Sequence, residues 1–489
     1  MILQNIHLPL FDYINFKKKY HMKSTMTRRD FLQKNAMMVA GLTIVPSSVL
    51  GKQAGYTAPS DKLNIAGIGV GGKGYTNLRN MNAENIVAIC DVDWDFSKKV
   101  FDEFPNAKKF YDYREMFDKM GKNIDAVMIA TPDHTHALIA SQAIVMGKHV
   151  YLQKPLTHAV YESRLLTKLA QKYKVCTQMG DEGASRPGFR LVADIIWSGL
   201  IGEVTAVESF TDRPIWPQGI SRPTEAQEVP STLNWELYVG PAPMRPYHRA
   251  YHPFRWRGWW DYGTGALGDM ACHIIHPVFH ALNLGAPETI HSTSTAVLPD
   301  SAPHAERVYY TFPARGTIGN AKVALPAMTL EWCDGGLKPP RPKGLPDNVQ
   351  LGLGGTIYHG TKDTLLALDS GIILLSGREA KAPSQQRIID ISHEMDWVRA
   401  CKENANNRIK PVSDFDEAGP LNEMIVAGVA SVRLQSLGKT LLWDSKNLKF
   451  TNINPDETIK IGNETVNAKA FSEELIKHTY QNGFKLVES

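Results

Sequence analysis

Short apolar runs alternate with amphipathic segments through the first half of the chain. The runs that predict β-strands are Leu63–Ile68, Ile86–Cys90, Ala126–Ala130, His149–Leu152 and Val175–Gln178. Between them, apolar positions at helical spacing predict helices at Ser97–Glu103, Tyr113–Asp118, His136–Met146 and Val160–Tyr173. Strands separated by helices are typical of a parallel sheet covered on both faces. The pattern therefore predicts a doubly wound α/β domain of the Rossmann type over residues 61–180.

The second half has longer alternating runs that are rich in Trp, Tyr and Thr. These predict strands at Val204–Asp212, Thr289–Val297, Val308–Phe312 and Lys322–Leu330. Helices are predicted at Pro187–Ser198, Ser392–Cys401 and Ala418–Leu434, and a long loop at Gly335–Gly355. We expect a C-terminal α/β domain over residues 181–452, with a large, open, mostly antiparallel sheet. Residues 453–489 form an appended segment.

The N-terminal region has the pattern of an export signal. Thr27–Leu32 reads TRRDFL, a twin-arginine motif, and the apolar stretch Ala36–Val45 is too short to span a bilayer. We interpret residues 1–51 as a twin-arginine signal region and residues 52–60 as a linker. This predicts a periplasmic protein exported in its folded state, with no membrane span once mature. The alternative is an amphipathic helix with a chance Arg-Arg pair.

Composition narrows the possible partners. The 489-residue chain has a formal net charge of only +4, and no basic stripe with interleaved aromatics, so nucleic acid is not an expected partner. The 5 cysteines are scattered, without C-x-x-C or Cys/His clusters. Neither a disulfide framework nor a metal site is indicated.

A glycine-rich turn follows the first predicted strand. Gly67, Gly69 and Gly72 fit G-x-G-x-x-G, in which the glycines allow a tight turn, approach of a diphosphate and packing of the next helix. Asp91 ends the second strand, where a carboxylate accepts hydrogen bonds from an adenosine ribose. The pattern predicts NAD, and NADP less readily, because Asp91 would repel a 2′-phosphate. The alternative is a unit whose glycines serve packing alone.

Polar residues follow the third and fourth of these strands. Ligands of open α/β sheets bind beyond the carboxyl ends of the strands, so Lys154 is expected near the nicotinamide, with a lowered pKa and a role in proton exchange. The turn Thr131–His136 lies on the same rim, and His136 is a candidate to line the pocket. Alternatively, Lys154 is a surface lysine and the Thr131–His136 turn only caps a helix.

The second domain contains an acid and a histidine at helical spacing. Asp269 and His273 are four residues apart, so on a helix the carboxylate could orient the imidazole as a general base. The alternative is a structural pair with a buried histidine. Upstream, Trp216, Trp259 and Arg257 are candidates to line a sugar, by ring stacking and hydrogen bonding, or else to pack in the core.

These motifs together resemble the Gfo/Idh/MocA oxidoreductase family. GIGVGGKG, ICDVD, TPDHTH, QKP and GALGDMACH occur in that family's order and spacing. The resemblance implies that Lys154, Asp269 and His273 are catalytic. It also implies that the glycines, Asp91, Thr131, Pro132, His136 and Gln153 contact the dinucleotide. Gln153 stands where the family usually has Glu, which removes a negative charge beside the lysine.

The resemblance implies an enzyme that transfers a hydride between a secondary hydroxyl of a sugar or glycoside and a tightly bound NAD. It also implies homodimers or homotetramers formed through the C-terminal sheet. One alternative is an NAD-dependent glycosidase or lyase that oxidises a ring transiently, eliminates, and reduces it again. Another is a non-catalytic sugar-binding or structural protein that retains the fold.

Overall fold

A computed structural model describes residues 61–489. The predicted signal region and linker, residues 1–60, lie outside the described residues. Among the described residues, no helix combines the length and the apolar character needed to cross a membrane.

The first sheet is entirely parallel and has 6 strands in the order β3-β2-β1-β4-β5-β6. Every residue of β4 is buried, as expected for a strand with helices on both faces. The strands are β1 (Asn64–Ile68), β2 (Asn85–Cys90), β3 (Lys108–Phe110), β4 (Ala126–Ile129), β5 (His149–Leu152) and β6 (Thr177–Met179). The helices between them are α1 (Lys73–Asn80), α2 (Lys98–Glu103), α3 (Tyr113–Met120), α4 (Asp133–Val145) and α5 (Val160–Tyr173). The predicted Rossmann fold is confirmed.

The second large sheet has 9 strands in the order β15-β14-β13-β7-β12-β9-β8-β16-β17. Only β7 and β12 pair in parallel, so the sheet is mostly antiparallel, as predicted. The strands are β7 (Val204–Thr211), β8 (Thr289–Ser294), β9 (Glu306–Phe312), β10 (Thr317–Ile318), β11 (Val323–Ala324), β12 (Met328–Cys333), β13 (Gly354–Gly360), β14 (Thr364–Leu368), β15 (Gly371–Leu374), β16 (Leu441–Asp444) and β17 (Lys449–Phe450). Strands β10 and β11 form a separate hairpin.

Six further α-helices occur between Pro187 and Leu434. They are α6 (Pro187–Trp197), α7 (Trp235–Val239), α8 (Gly265–Ile274), α9 (His276–Leu282), α10 (His393–Cys401) and α11 (Phe415–Leu434). Helices α8 and α11 contact strands of the second sheet, whereas α10 packs against α1 and β5 of the first. The appended segment adds a hairpin of β18 (Thr458–Ile461) and β19 (Glu464–Asn467), followed by α12 (Ala468–Ile476).

Helix α11 joins the two halves of the structure. It is buried along nearly its whole length and packs against α5 of the Rossmann half and against α8 and β8 of the other half. Its buried Asn422 accepts a hydrogen bond from the backbone of Leu156 and donates to Thr157 and Ser163, at 2.9–3.2 Å. The loop after β5, which begins with Gln153 and Lys154, is therefore fixed by a residue from the far end of the chain.

Several elements differ from the sequence-based expectation, among them β13, β14 and β15, which are not predicted; two of the differences have a local cause. The predicted strand Lys322–Leu330 is divided into β11 and β12, because Pro326 between them has no N–H to continue a ladder. Strand β3 is not predicted, since only Phe110 of its residues is buried and no alternating pattern is visible.

Candidate active site

The glycine turn between β1 and α1 is built by close backbone contacts. Gly69 has φ of +74°, and a Cβ there would lie 2.7 Å from the backbone nitrogen of Thr131. A Cβ at Gly74 would lie 2.2 Å from the carbonyl oxygen of Gly69. At Gly72 the nearest atom is 3.8 Å away, on the Phe96 ring. The close helix contact therefore belongs to Gly74, and the packing role predicted for Gly72 is wrong.

Gly72 instead opens α1 in a way that suits an anion. It is the N-cap residue, no side chain of the described part of the chain caps the helix, and no acidic residue lies in the first turn. Free N–H groups and the positive end of the helix dipole therefore face the open side of the turn. This geometry fits the diphosphate of a dinucleotide.

Asp91 shapes the same turn. Its Oδ2 accepts hydrogen bonds from the backbone N–H of Val70 at 2.7 Å and of Gly71 at 3.1 Å, and its Oδ1 accepts from Asp93 at 3.0 Å. Burial raises the pKa of this carboxyl, although these hydrogen bonds act in the opposite direction. The observed contacts thus order the backbone, while the contact with a ribose stays a prediction.

Lys154, Asp269 and Arg257 form one ionic cluster. Oδ1 of Asp269 lies 2.9 Å from Nζ of Lys154 and 3.0 Å from Nε of Arg257. The Asp269 side chain is only 8% exposed and that of Lys154 15%. The lysine comes from the end of β5, the aspartate from α8 and the arginine from the segment before α8. The structure therefore brings these three predicted residues together.

The ion pair between Lys154 and Asp269 keeps both side chains charged. Burial acts to lower the pKa of Lys154, but the adjacent Asp269 outweighs it and raises the pKa. The lowered pKa expected for Lys154 is therefore wrong, and the lysine stays an ammonium group. For Asp269, burial acts upward, yet Lys154 and Arg257 lower its pKa.

Asp133 is another buried carboxyl near the cluster. The sequence suggests this residue only as a helix cap. Asp133 is 1% exposed, its Oδ2 accepts from the Thr264 hydroxyl at 2.9 Å, and its Oδ1 has no hydrogen-bond partner within residues 61–489. Burial, with the charge of Asp269, raises the pKa of Asp133 to about 8. The group is therefore largely protonated at neutral pH.

His273 is oriented by Asp181 and not by Asp269. Its Nδ1 lies 2.6 Å from Oδ1 of Asp181, whose other oxygen lies 2.7 Å from Nδ1 of His276. The helix carrying Asp269 and His273 is as predicted, but their direct pairing is wrong, because Asp269 turns towards Lys154 and Arg257. Asp181 follows the carboxyl end of β6, so its position on the ligand-binding edge is the signal that could have identified it.

Two of the residues predicted to contact the cofactor are buried and form hydrogen bonds to neighbouring elements of the protein. His136 is fully buried, with Nδ1 2.9 Å from the carbonyl of Pro155 and Nε2 2.8 Å from that of Thr131. Its predicted place in the pocket lining is therefore wrong: it ties the loops after β4 and β5 together. Gln153 is 5% exposed and donates a 2.9 Å hydrogen bond to Oδ1 of Asn77 on α1.

The Gln153 contact explains why an amide suits this position. Nδ2 of Asn77 donates to Glu394 at 2.7 Å, which leaves its oxygen facing Gln153. A glutamate in place of Gln153 would place a carboxylate against that oxygen, without a proton between them. The amide is therefore complementary to the Asn77–Glu394 pair.

The predicted sugar-stacking tryptophans are core residues. Trp259 is 2% exposed and donates from Nε1 to the carbonyl of Ala250, and Trp216 is 6% exposed and donates to Gln218. Their rings are covered, which favours the alternative that they pack in the core, and the substrate role of both stays a prediction. Arg257 remains at the site, with its guanidinium over the rings of Phe254 and Trp256.

Comparisons with known proteins agree with this architecture. A family model described as an oxidoreductase family with an NAD-binding Rossmann fold matches residues 63–181, and that family's C-terminal α/β domain model matches residues 192–318. A WlbA dehydrogenase from Bordetella pertussis, crystallised with NADH and UDP-GlcNAcA, has 17% identity and a TM-score of 0.53 over 78% of this chain and 99% of that one. An oxidoreductase from Thermotoga maritima has the same identity and TM-score over 78% and 98%.

Curated relatives match a shorter region. A glycosyl hydrolase family 109 protein of Shewanella sp. strain MR-4 is 26% identical over 204 residues, which cover 36% of this chain and 44% of the relative. The values are the same for an alpha-N-acetylgalactosaminidase of Shewanella oneidensis. The chain thus spans less than half the length of these relatives. The two family models together cover just over half of the chain, in the order that the fold requires. The chain belongs to the Gfo/Idh/MocA oxidoreductase family, with its NAD-binding Rossmann domain at residues 63–181.

Proposed function

We propose that the protein is an NAD-dependent dehydrogenase that transfers a hydride between a secondary hydroxyl carbon of a sugar or glycoside and a tightly bound cofactor. The observation that carries the proposal is the Lys154–Asp269–Arg257 cluster beside His273, at the carboxyl edge of the parallel sheet. Open α/β sheets bind ligands at that edge. The glycine turn lies at the same edge, at the end of β1.

The side chains have the properties that this chemistry needs. His273, with Nδ1 held by Asp181, is 32% exposed and presents its other nitrogen as a base for a hydroxyl proton. Lys154 keeps its positive charge and stabilises negative charge that develops on the reacting oxygen. Asp269 holds Lys154 and Arg257 in place. The bound nicotinamide supplies the hydride acceptor or donor.

A second candidate is supported by the curated relatives. The matched Shewanella proteins are named as glycosyl hydrolase family 109 proteins and as an alpha-N-acetylgalactosaminidase, so a glycosidase that works by transient ring oxidation is the alternative. Both candidates begin with the oxidation of a ring hydroxyl, so Lys154 suits either of them, and net reduction of the cofactor is the observation that distinguishes the dehydrogenase.

The test begins with the nucleotide released on denaturation, identified by mass spectrometry. The NAD-loaded protein is then screened with sugars and glycosides while absorbance follows the reduced nicotinamide. Substrate-dependent reduction supports the dehydrogenase. Release of aglycone without net reduction supports the glycosidase. A folded protein that neither contains nor binds a nicotinamide nucleotide contradicts both.

Location and assembly are part of the proposal. We propose export by the twin-arginine route, which carries folded proteins and so allows the cofactor to be captured beforehand. Cell fractionation of the unmodified protein and of a variant with Arg28→Lys and Arg29→Lys tests this, with loss of periplasmic protein expected for the variant. The proposed homodimer or homotetramer through the nine-stranded sheet is tested by light scattering.

A further inference from the structure

A line of alternating imidazoles and carboxylates leads from His273 into the interior. Asp181 bridges His273 and His276, and the Nε2 of His276 lies 3.4 Å from Oε1 of Glu417. The same Glu417 oxygen accepts from Nδ1 of His280 at 2.8 Å. The line therefore joins α8, the loop after β6, α9 and α11.

His276 is the buried member of this line. Its side chain is 0% exposed; Nδ1 lies within hydrogen-bond distance of Asp181, whereas Nε2, 3.4 Å from Glu417, makes no hydrogen bond to any of the described residues. Burial acts to lower the pKa of His276, but Asp181 and Glu417 outweigh it and raise the pKa to about 9. The pKa of Glu417 is held below its ordinary value by His276 and His280, against the effect of burial. At neutral pH a buried cation therefore lies between two anions.

We propose that His276 is a positioning residue that sets how readily His273 accepts a proton, an inference that rests on the proposed function. Asp181 by itself stabilises a proton on His273, because a carboxylate within hydrogen-bond distance favours the charged imidazole. His276 contributes a positive charge on the other side of the same carboxylate. That charge opposes a second proton on His273.

Other charged and aromatic groups also surround this line. Asp269, one turn before His273 on α8, acts on His273 electrostatically. Lys154 and Arg257 hold Asp269, however, and its contribution is the same whether or not His276 is charged. From α10, His393 acts on Asp181 electrostatically, but burial lowers the pKa of His393, so it is neutral there. Phe189 of α6 places its ring edge-on to His276, with centroids 5.0 Å apart. On α9 itself, His280 bonds Glu417 and Gln386 and does not touch Asp181.

The test variant removes the positive charge at position 276 and keeps a hydrogen-bond donor there. His276→Gln can still hydrogen-bond Asp181 but carries no charge, so the pH at which the His273 ring titrates is expected to rise by about 1 unit. The titration is followed by NMR of the full chain with labelled histidine, which requires no turnover. The acid limb of the pH–rate profile should move by the same amount. His280→Gln is the matched control, and its shift should be less than about 0.3 unit.

An unchanged His273 midpoint in a folded His276→Gln protein, or a shift equal to that of His280→Gln, overturns the inference. A measurement on the unmodified protein guards against a variant that does not fold. There the His276 ring must carry protons on both nitrogens at pH 7, and a neutral ring also overturns the inference. Because these readouts need no substrate, an absence of dehydrogenase activity would contradict the proposed function without affecting the NMR result.

Discussion

Asp269→Asn tests whether one carboxylate holds two buried cations. The amide keeps an oxygen at the position that now accepts from Lys154 at 2.9 Å and from Arg257 at 3.0 Å, but it removes the charge. Breaking a buried ion pair costs about 3–5 kcal/mol, and the retained hydrogen-bond oxygen recovers part of this. We expect the free energy of unfolding to fall by about 2–4 kcal/mol at pH 7.

The variant should also respond differently to pH. In the unmodified protein Asp269 keeps the pKa of Lys154 raised, so the lysine is charged throughout the neutral range. Without Asp269 the effect of burial prevails and the pKa of Lys154 falls below that of the unfolded chain. A lysine with a depressed folded-state pKa penalises folding below that pKa, and the penalty disappears as the pH rises. The difference in stability between the two proteins should therefore narrow from pH 7 to pH 9.5.

Urea denaturation followed by tryptophan fluorescence at both pH values measures this. Asp102→Asn is the matched control, since it removes the carboxylate of a Lys–Asp pair at 2.7 Å whose side chains are 68% and 63% exposed, and it should change nothing measurable. A loss below about 1 kcal/mol for Asp269→Asn, or a difference that does not depend on pH, would refute the reasoning.

Three further predictions concern stability. Gly74→Ala places a Cβ 2.2 Å from a backbone oxygen and should cost about 1–3 kcal/mol by urea denaturation. Gly72→Ala meets only the Phe96 ring, at an ordinary contact distance of 3.8 Å, and should cost less than half of that; equal losses would contradict the assignment. The pKa of His276 is about 9 in the folded protein, against 6.5 for an ordinary histidine. The stabilisation that follows from this difference is complete below pH 6.5 and is lost as the pH rises through 9. Between pH 6.5 and 9 the free energy of unfolding of the unmodified protein should therefore fall by about 3 kcal/mol more than that of His276→Gln. Identical pH profiles of stability for the two proteins would disprove this. Trp259→Phe should lower the thermal midpoint and leave the KM for the sugar unchanged, whereas a raised KM in a stable variant would support its predicted substrate role.

The sequence predicts the site best for residues that directly follow a strand of the parallel sheet. Lys154 follows the fourth predicted strand, which is β5 of the structure, and the rule that ligands bind at the carboxyl edge places it near the glycine turn without any knowledge of packing. Partner choice is harder to predict. Asp269 and His273 share a helix face, yet Asp181, 92 residues before His273 in the chain, is the group that bonds it. Spacing along one helix reports only local neighbours.

Burial of isolated aromatic residues is the second point that sequence reasoning misses. Trp216 and Trp259 lie in segments without regular periodicity, so no pattern shows which face of each ring is covered. The sequence predicts the close packing contact at Gly72 and not at Gly74 for a similar reason. Both lie in the same turn, and only the path of the backbone shows which of them meets the carbonyl of Gly69.

Asn422 has a consequence for how the two lobes move. Its side chain lies within 3.2 Å of four polar atoms in the loop and helix that follow β5. Swinging the lobes apart would leave those groups unpaired inside the protein, at about 1 kcal/mol or more for each hydrogen bond lost. The contact between α11 and the segment that follows β5 therefore resists a hinge motion of the two lobes at this point.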